Sequence, residues 1–264
     1  MIPVVSAGQR RQADGIPHAA GVVLASGAGT RVGAGINKVY LPLAGRRLVS
    51  WSLAAFARVP AVGTLVLVTR PQDADLVDSV LDREVGGIGV EVVHGGQTRQ
   101  ESELNALRHL ADRIGRGVVD AVLLHDAARP LLSPELITGV LRCAREHGGA
   151  IPGLPADDLR AIGADGVSLG EAPSGTVIRA QTPQGFRAAP LLEAYERAAR
   201  EGFDGTDTAS VMERFSALPV HWVRGEQQNF KVTYPHDLIV AERVLEAQRV
   251  QDPGGAAAGV LNGQ

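Results

Sequence analysis

An α/β fold, a mostly parallel sheet flanked by helices, is what this chain predicts, and three observations predict it. Short β-branched apolar runs recur along the chain, helical stretches lie between them, and small residues gather just after the runs rather than inside them. The runs are GVVLA at 21–25, TLVLV at 64–68, VEVV at 90–93 and AVLLH at 121–125. Their continuous apolar character predicts strands covered on both faces. RLVSWSLAAFARV, DADLVDSVLD, RQESELNALRHLADRI and SPELITGVLRCAREH carry apolar residues three and four apart and predict the intervening helices. The last of these opens on Ser133 as N-cap, with Pro134 at the first helical position. After about residue 150 the alternation breaks. Pro152, Pro155, Pro173 and several glycines separate short pieces such as VSLG and TVIRAQ, which predicts a projecting β-arm over about 151–181 rather than another sheet unit. Helix returns at PLLEAYERAARE and again after Thr206 and Asp207, followed by a strand, PVHWVRG, and a closing helix, PHDLIVAERVLEAQRV.

This order is Rossmann-like, and it predicts one domain over residues 19–248. Residues 1–18 and 249–264 lack periodic apolar residues and are expected to be disordered. Among the 264 residues, 26 basic side chains stand against 29 acidic ones, so no net positive field marks a nucleic-acid binder. Any anion site must be local. No apolar run approaches the roughly 18 residues of a membrane span. Cys143 is the only cysteine and sits in a helical context, which excludes a disulfide framework and a thiolate metal cluster and suits a reducing cytoplasm.

In an open α/β sheet, ligands bind beyond the carboxyl ends of the strands, so the residues after each run carry the function. Those loops read ASGAGTRVGAGINK, HGGQTRQES and HDAARP. Gly27 and Gly29 admit a close backbone approach, and Arg31 and Lys38 supply cations for phosphate. Gly95, Gly96 and Ser102 mark the second loop; Asp126, placed to hold Mg²⁺, and Arg129 mark the third. Together they describe a nucleoside-triphosphate site. A dinucleotide fingerprint fails on spacing, since Val32 stands where its last glycine belongs, and a P-loop fails because Lys38 is followed by Val39. Arg70 and Arg99 read as surface charges. His125 reads as a hydrogen-bonded structural residue. Lys231, between Phe230 and Val232 in a strand-like run, requires a compensating anion.

LASGAGTR with Lys38, GGQTRQES, LLHDAARP, QTPQGF, GTDTAS and NFKVT, in this order over residues 20–245, resemble the 2-C-methyl-D-erythritol 4-phosphate cytidylyltransferase family, enzymes that make CDP-sugar alcohols. The resemblance implies Mg²⁺-dependent transfer of CMP from CTP to a sugar-alcohol phosphate, by a homodimer joined through the arm. It implies that Arg31, Lys38 and Lys231 act on the triphosphate and the transition state, and that Asp126 holds Mg²⁺. By the same likeness the cytosine lies against Ala25, Ser26, Gly95 and Gly96 and bonds Ser102, while Arg129, Thr182 and Thr206 stand near the acceptor.

This chain departs from the family pattern in places. Leu24 and Ser26 replace a proline and an alanine. In the arm, Asp158 or Leu159 stands at the family's threonine and Ser174 at its arginine, both of which grip the acceptor phosphate across the dimer. Arg160 or Arg179 is the expected replacement. Because the nucleotide half is intact and the acceptor half altered, ribitol 5-phosphate or another polyol phosphate remains an alternative acceptor. A non-catalytic CTP-binding paralogue remains the alternative outside enzymology.

Overall fold

The computed structural model describes residues 16–27, 36–171 and 175–251. Gly29, Arg31 and Ser174, and the terminal stretches 1–15 and 252–264, lie outside the described residues.

The first apolar run becomes β1 (His18–Leu24). It pairs in parallel with the next two long runs, which form β4 (Val62–Thr69) and β6 (Val119–Asp126). The short strands between, β2 (Pro42–Leu43) and β3 (Arg46–Arg47), make a separate hairpin. Its turn residues Ala44 and Gly45 both have positive φ, 49° and 84°, a turn whose twist matches that of the strands it joins. β5 (Glu91–His94) closes one edge beside β4. Helices α1 (Leu48–Ala57), α2 (Ala74–Arg83), α3 (Arg99–Gly115) and α4 (Pro134–His147) fall within two residues of the predicted spans. Ser133 caps α4 by accepting from the Leu136 amide at 3.0 Å. Alternate residues of the central strands feed opposite layers: Ala19, Val23, Leu65 and Leu123 pack with α1 and α4, while Ala20, Val22, Val66 and Leu124 pack with α3 and with Leu191, Ala194 and Tyr195 of a later helix.

Two expectations fail here. VEVV is not covered on both faces: β5 is an edge strand, with Val92 40% exposed. The arm begins later than the prolines suggest. Residues 149–155 form β7 (Gly149–Pro155), an interior strand; β8 (Ile178–Ala180) and β9 (Gln184–Arg187) pair with it antiparallel, and β10 (Val220–Arg224) pairs parallel. The described sheet runs β10-β7-β9-β6-β1-β4-β5, with β8 paired to β7 off that path. Pro152 and Pro155 are compatible with this because β8 and β9 pair with different parts of β7, leaving short ladders that a missing N–H interrupts little.

The chain closes with α5 (Ala188–Glu201), α6 (Thr208–Phe215) and α7 (Pro235–Gln251). α6 is capped by Asp207 in a reciprocal capping box with Ser210. NFKVT is an extended loop rather than a strand, with Val232 packed against Leu43, Leu48 and Leu131 beneath α7. Among the described residues no helix is long and apolar enough to cross a membrane.

Candidate functional site

β1 and β6 are neighbours at the point where the parallel strand order reverses, and their last residues, Leu24 and Asp126, lie side by side at that end of the sheet. Asp126 is the last residue of β6 and only 7% exposed. Its Oδ2 accepts from Lys231 Nζ at 2.8 Å, and its Oδ1 accepts from Arg99 Nη1. Arg129 Nε lies 4.0 Å from Oδ2 and has no hydrogen-bond partner of its own. Burial by itself raises the Asp126 carboxyl, but Arg99, Lys231 and Arg129 outweigh burial and hold it well below the usual carboxylate range. The group is ionised at any working pH. The anion that Lys231 requires is thus Asp126.

Arg99 is the clearest correction to the sequence reading. It is no surface charge: its guanidinium bridges Asp126 and Glu103, with Nε 3.0 Å from Glu103 Oε1. Arg70 also has a fixed partner, binding Asp73 through two nitrogens at 2.8 and 2.7 Å. Asp73 in turn accepts from the buried Asn37, whose Nδ2 also donates to the Ala25 carbonyl at 2.7 Å. Neither Glu103 nor Asn37 was singled out in the sequence. Glu103 did leave a signal, since residues 103, 106, 107, 110 and 114 fall at helical spacing on the buried face of α3 and the first of them is an acid.

Beside this charge cluster is a wall of small residues. Gly95 lies so near Ser26 and Ser102 that an added Cβ would stand 2.5 Å from Ser26 Cβ and 2.7 Å from Ser102 Oγ. Ser102 was expected to bond the base, yet it is 2% exposed and its hydroxyl is already shared: it donates to the Thr98 carbonyl at 2.9 Å and accepts from Ser26 Oγ at 2.9 Å and the Gly96 amide at 3.0 Å. It ties Ser26 and the Gly96 amide to the first turn of α3. Gly27 is exposed at the mouth of the β1 loop.

Lys38 lies beneath the site, 7% exposed, and donates to the Val232 carbonyl at 2.7 Å, one residue along from Lys231. Thr182, expected at the acceptor, is buried behind Asp126, where its hydroxyl accepts from the Asp126 amide at 3.0 Å and meets His125 Nδ1 at 3.0 Å. His125 is the structural residue its position suggested. Nε2 points to the Arg129 carbonyl at 3.2 Å, and burial pushes its pKa down to about 4, so the ring is neutral and both nitrogens are committed.

Arg129 links this cluster to the arm. It donates to the Asn229 carbonyl at 2.8 Å and to the Ala180 carbonyl at 3.4 Å. Next to Ala180, Arg179 and Asp158 line a cavity of about 440 Å³ with Asp157, Arg224 and Gln227. Arg179 faces Asp158 at 3.4 Å. Arg160 is exposed outside that lining, its guanidinium on the Leu159 carbonyl at 3.2 Å. Thr206 is exposed just ahead of the α6 cap.

Mg²⁺ commonly binds one or two carboxylates and completes its shell with substrate phosphates and water. The described residues hold no cluster of three acidic, histidine or cysteine side chains suited to a metal. At the end of β6 they offer the Asp126 carboxylate among cations, with Glu103 behind it bound to Arg99. That donor set fits a Mg²⁺ ion that arrives with a polyphosphate and does not fit one held by protein alone.

Residues 19–247 match the sequence profile of the 2-C-methyl-D-erythritol 4-phosphate cytidylyltransferase family. An enzyme of that name from Thermosynechococcus vestitus is 35% identical over 88% of this chain and 97% of its own. A bifunctional IspD/IspF enzyme from Dinoroseobacter shibae is 37% identical over 89% of this chain, which spans only 56% of that longer protein. Among solved structures, 2-C-methyl-D-erythritol 4-phosphate cytidylyltransferase from Thermus thermophilus superposes with a TM-score of 0.66 at 31% identity, covering 85% of this chain and 98% of its own. A 4-diphosphocytidyl-2C-methyl-D-erythritol synthase from Anaerococcus prevotii reaches a TM-score of 0.75 at 27% identity, covering 87% and 96%.

Proposed function

The chain belongs to the 2-C-methyl-D-erythritol 4-phosphate cytidylyltransferase family, and from that premise we propose which of its residues run the reaction. It is a nucleotidyltransferase that moves CMP from CTP to 2-C-methyl-D-erythritol 4-phosphate in isoprenoid-precursor synthesis. A phosphate oxygen of the acceptor attacks the α-phosphorus of CTP. The bond from that phosphorus to the oxygen bridging the β-phosphorus breaks, and pyrophosphate leaves with the electron pair. The attacking oxygen is already ionised at neutral pH, so no side chain has to remove a proton. The protein's work is placement and charge compensation.

The observation that carries the assignment is the Asp126 carboxylate at the end of β6, 2.8 Å from Lys231 and joined to Arg99. Lys231, with its side chain 39% exposed, is the most exposed of the described cations paired with Asp126 and is assigned to the α-phosphate and the acceptor. Arg31 and Lys38 are assigned to the triphosphate. Ala25, Ser26, Gly27, Gly29, Gly95 and Gly96 are assigned to the cytidine, with Ser102 holding that wall in place. Asp126 would hold Mg²⁺, which when bound neutralises phosphate charge and orients the leaving pyrophosphate. Arg129 and Thr206, with Arg179 in its cavity, are assigned to the acceptor side. Homodimerisation through the arm is supported by its exposed apolar residues, Ile162 at 69%, Val167 at 88% and Leu169 at 74%.

The test is pyrophosphate release with CTP, UTP and ATP, each paired with 2-C-methyl-D-erythritol 4-phosphate and with ribitol 5-phosphate, with and without Mg²⁺. CTP with the methylerythritol acceptor and Mg²⁺ should be the productive combination. Equal turnover with ATP would overturn the nucleotide assignment, and preference for ribitol 5-phosphate would overturn the acceptor.

A further inference from the structure

Behind the site lies a buried acid with three donors. Glu103 is 1% exposed. It accepts from Arg99 Nε at 3.0 Å, from the Tyr195 hydroxyl of α5 at 2.6 Å and from Thr208 Oγ1 at the start of α6 at 3.1 Å. A carboxylate buried this far costs several kcal/mol unless it is paired and hydrogen-bonded, and an apolar side chain in its place is often as stabilising. Packing alone therefore gives no reason for an acid here; its partners give one. Arg99 spans two carboxylates through separate nitrogens, Nε to Glu103 and Nη1 to Asp126, so Glu103 sets the plane in which the guanidinium meets Asp126.

We propose that Glu103 is a positioning residue that clamps Arg99 as the permanent partner of Asp126. The inference rests on Asp126 being part of the reacting site. Asp126 has two close cationic partners that differ in freedom: Lys231 has only Asp126 and solvent about its ammonium group among the described contacts, whereas Arg99 is fixed from behind. When a substrate phosphate draws Lys231 away, Arg99 keeps the carboxylate compensated and aimed. The Thr208 bond extends the clamp to the first turn of α6, directly after Thr206 and Asp207, so the loop on the acceptor side and the acid on the nucleotide side are registered against one carboxylate.

The experiment measures kcat, KM for CTP, KM for the acceptor and Tm in Glu103→Gln, Arg99→Gln, the double variant and Tyr195→Phe. Glutamine keeps the size and most hydrogen bonds of Glu103 but not the charge. The expected result is a kcat lowered about 10-fold in Glu103→Gln, within the range seen when a group supporting a reacting-site ligand is lost. The double variant should be no slower than Arg99→Gln, because both substitutions break the same clamp. Tyr195→Phe removes a donor from the same carboxylate without touching Arg99; it should lower Tm and leave kcat unchanged. Wild-type kcat in Glu103→Gln, or losses that add in the double variant, would overturn the proposal. If Glu103→Gln fails to fold, Arg99→Lys decides: it keeps a charge near Asp126 but cannot span both acids, so retained kcat overturns the clamp. Asp126→Asn separates the two levels of the argument. If it keeps wild-type kcat, the site assignment falls and the clamp with it; if it is impaired while Glu103→Gln is normal, only the clamp falls.

Discussion

Replacing Asp126 with asparagine changes almost no volume and removes one charge from the centre of the site, so its effect can be worked from the contacts. Arg99, Arg129 and Lys231 supply three positive charges, and Asp126 and Glu103 two negative ones, for a local sum of +1. Asp126→Asn takes this to +2. Breaking a buried ion pair from one side costs about 3–5 kcal/mol, and the lower end applies here because Lys231 and Arg99 keep side-chain exposures of 39% and 33%. For a domain of this size about 3 kcal/mol corresponds to a Tm lowered by roughly 6–12 °C. Catalysis should respond differently from binding. The more positive cluster still attracts the triphosphate, so KM for CTP should not rise. Turnover should fall about 10²-fold, the scale of losing one preorganised electrostatic group, and the Mg²⁺ required for half-maximal rate should increase. Differential scanning calorimetry and steady-state pyrophosphate release measure the two halves. A variant with wild-type kcat and unshifted Mg²⁺ dependence would refute the reasoning, whatever its Tm.

Lys231→Ala and Lys38→Ala should each lower kcat by roughly 10²-fold or more, measured by pyrophosphate release; a raised KM for CTP at unchanged kcat would show that they only bind nucleotide. Gly95→Ala drives a methyl group toward Ser26 and Ser102, at 2.5 and 2.7 Å, and should raise KM for CTP at least about 10-fold without lowering the affinity for the acceptor. His125 is neutral in the folded protein, its pKa pushed by burial from 6.5 down to about 4, so its contribution to stability is complete above pH 6.5 and is lost as pH falls toward 4. Urea midpoints measured across that window should fall with pH, and His125→Gln should flatten the slope. Arg179→Ala should raise KM for the acceptor while leaving KM for CTP near its parent value; an unchanged acceptor KM would remove Arg179 from the acceptor side.

What the sequence determined by itself was local. A β-branched run such as TLVLV has one periodicity, and Ser133-Pro134 has one favourable place at a helix start, so strands, helices and the α4 cap were legible without neighbours. The places where β1 and β6 end were legible for the same reason, because small residues and charges placed right after a strand have a meaning that depends on chain order alone. Tertiary structure decided everything that depends on a partner from elsewhere in the chain. Pro152 and Pro155 read as breakers, yet residues 149–155 form an interior strand, because the sheet supplies short ladders on either side of them. Arg99, on α3, read as solvated until folding set it between Glu103, four residues on, and Asp126 at the end of β6. Lys231 and Thr182 likewise meet Asp126 across 105 and 56 residues of chain. The charge of a side chain is written in the sequence, but its compensation depends on distances below about 4 Å and on exclusion of water, and only the packed fold sets those.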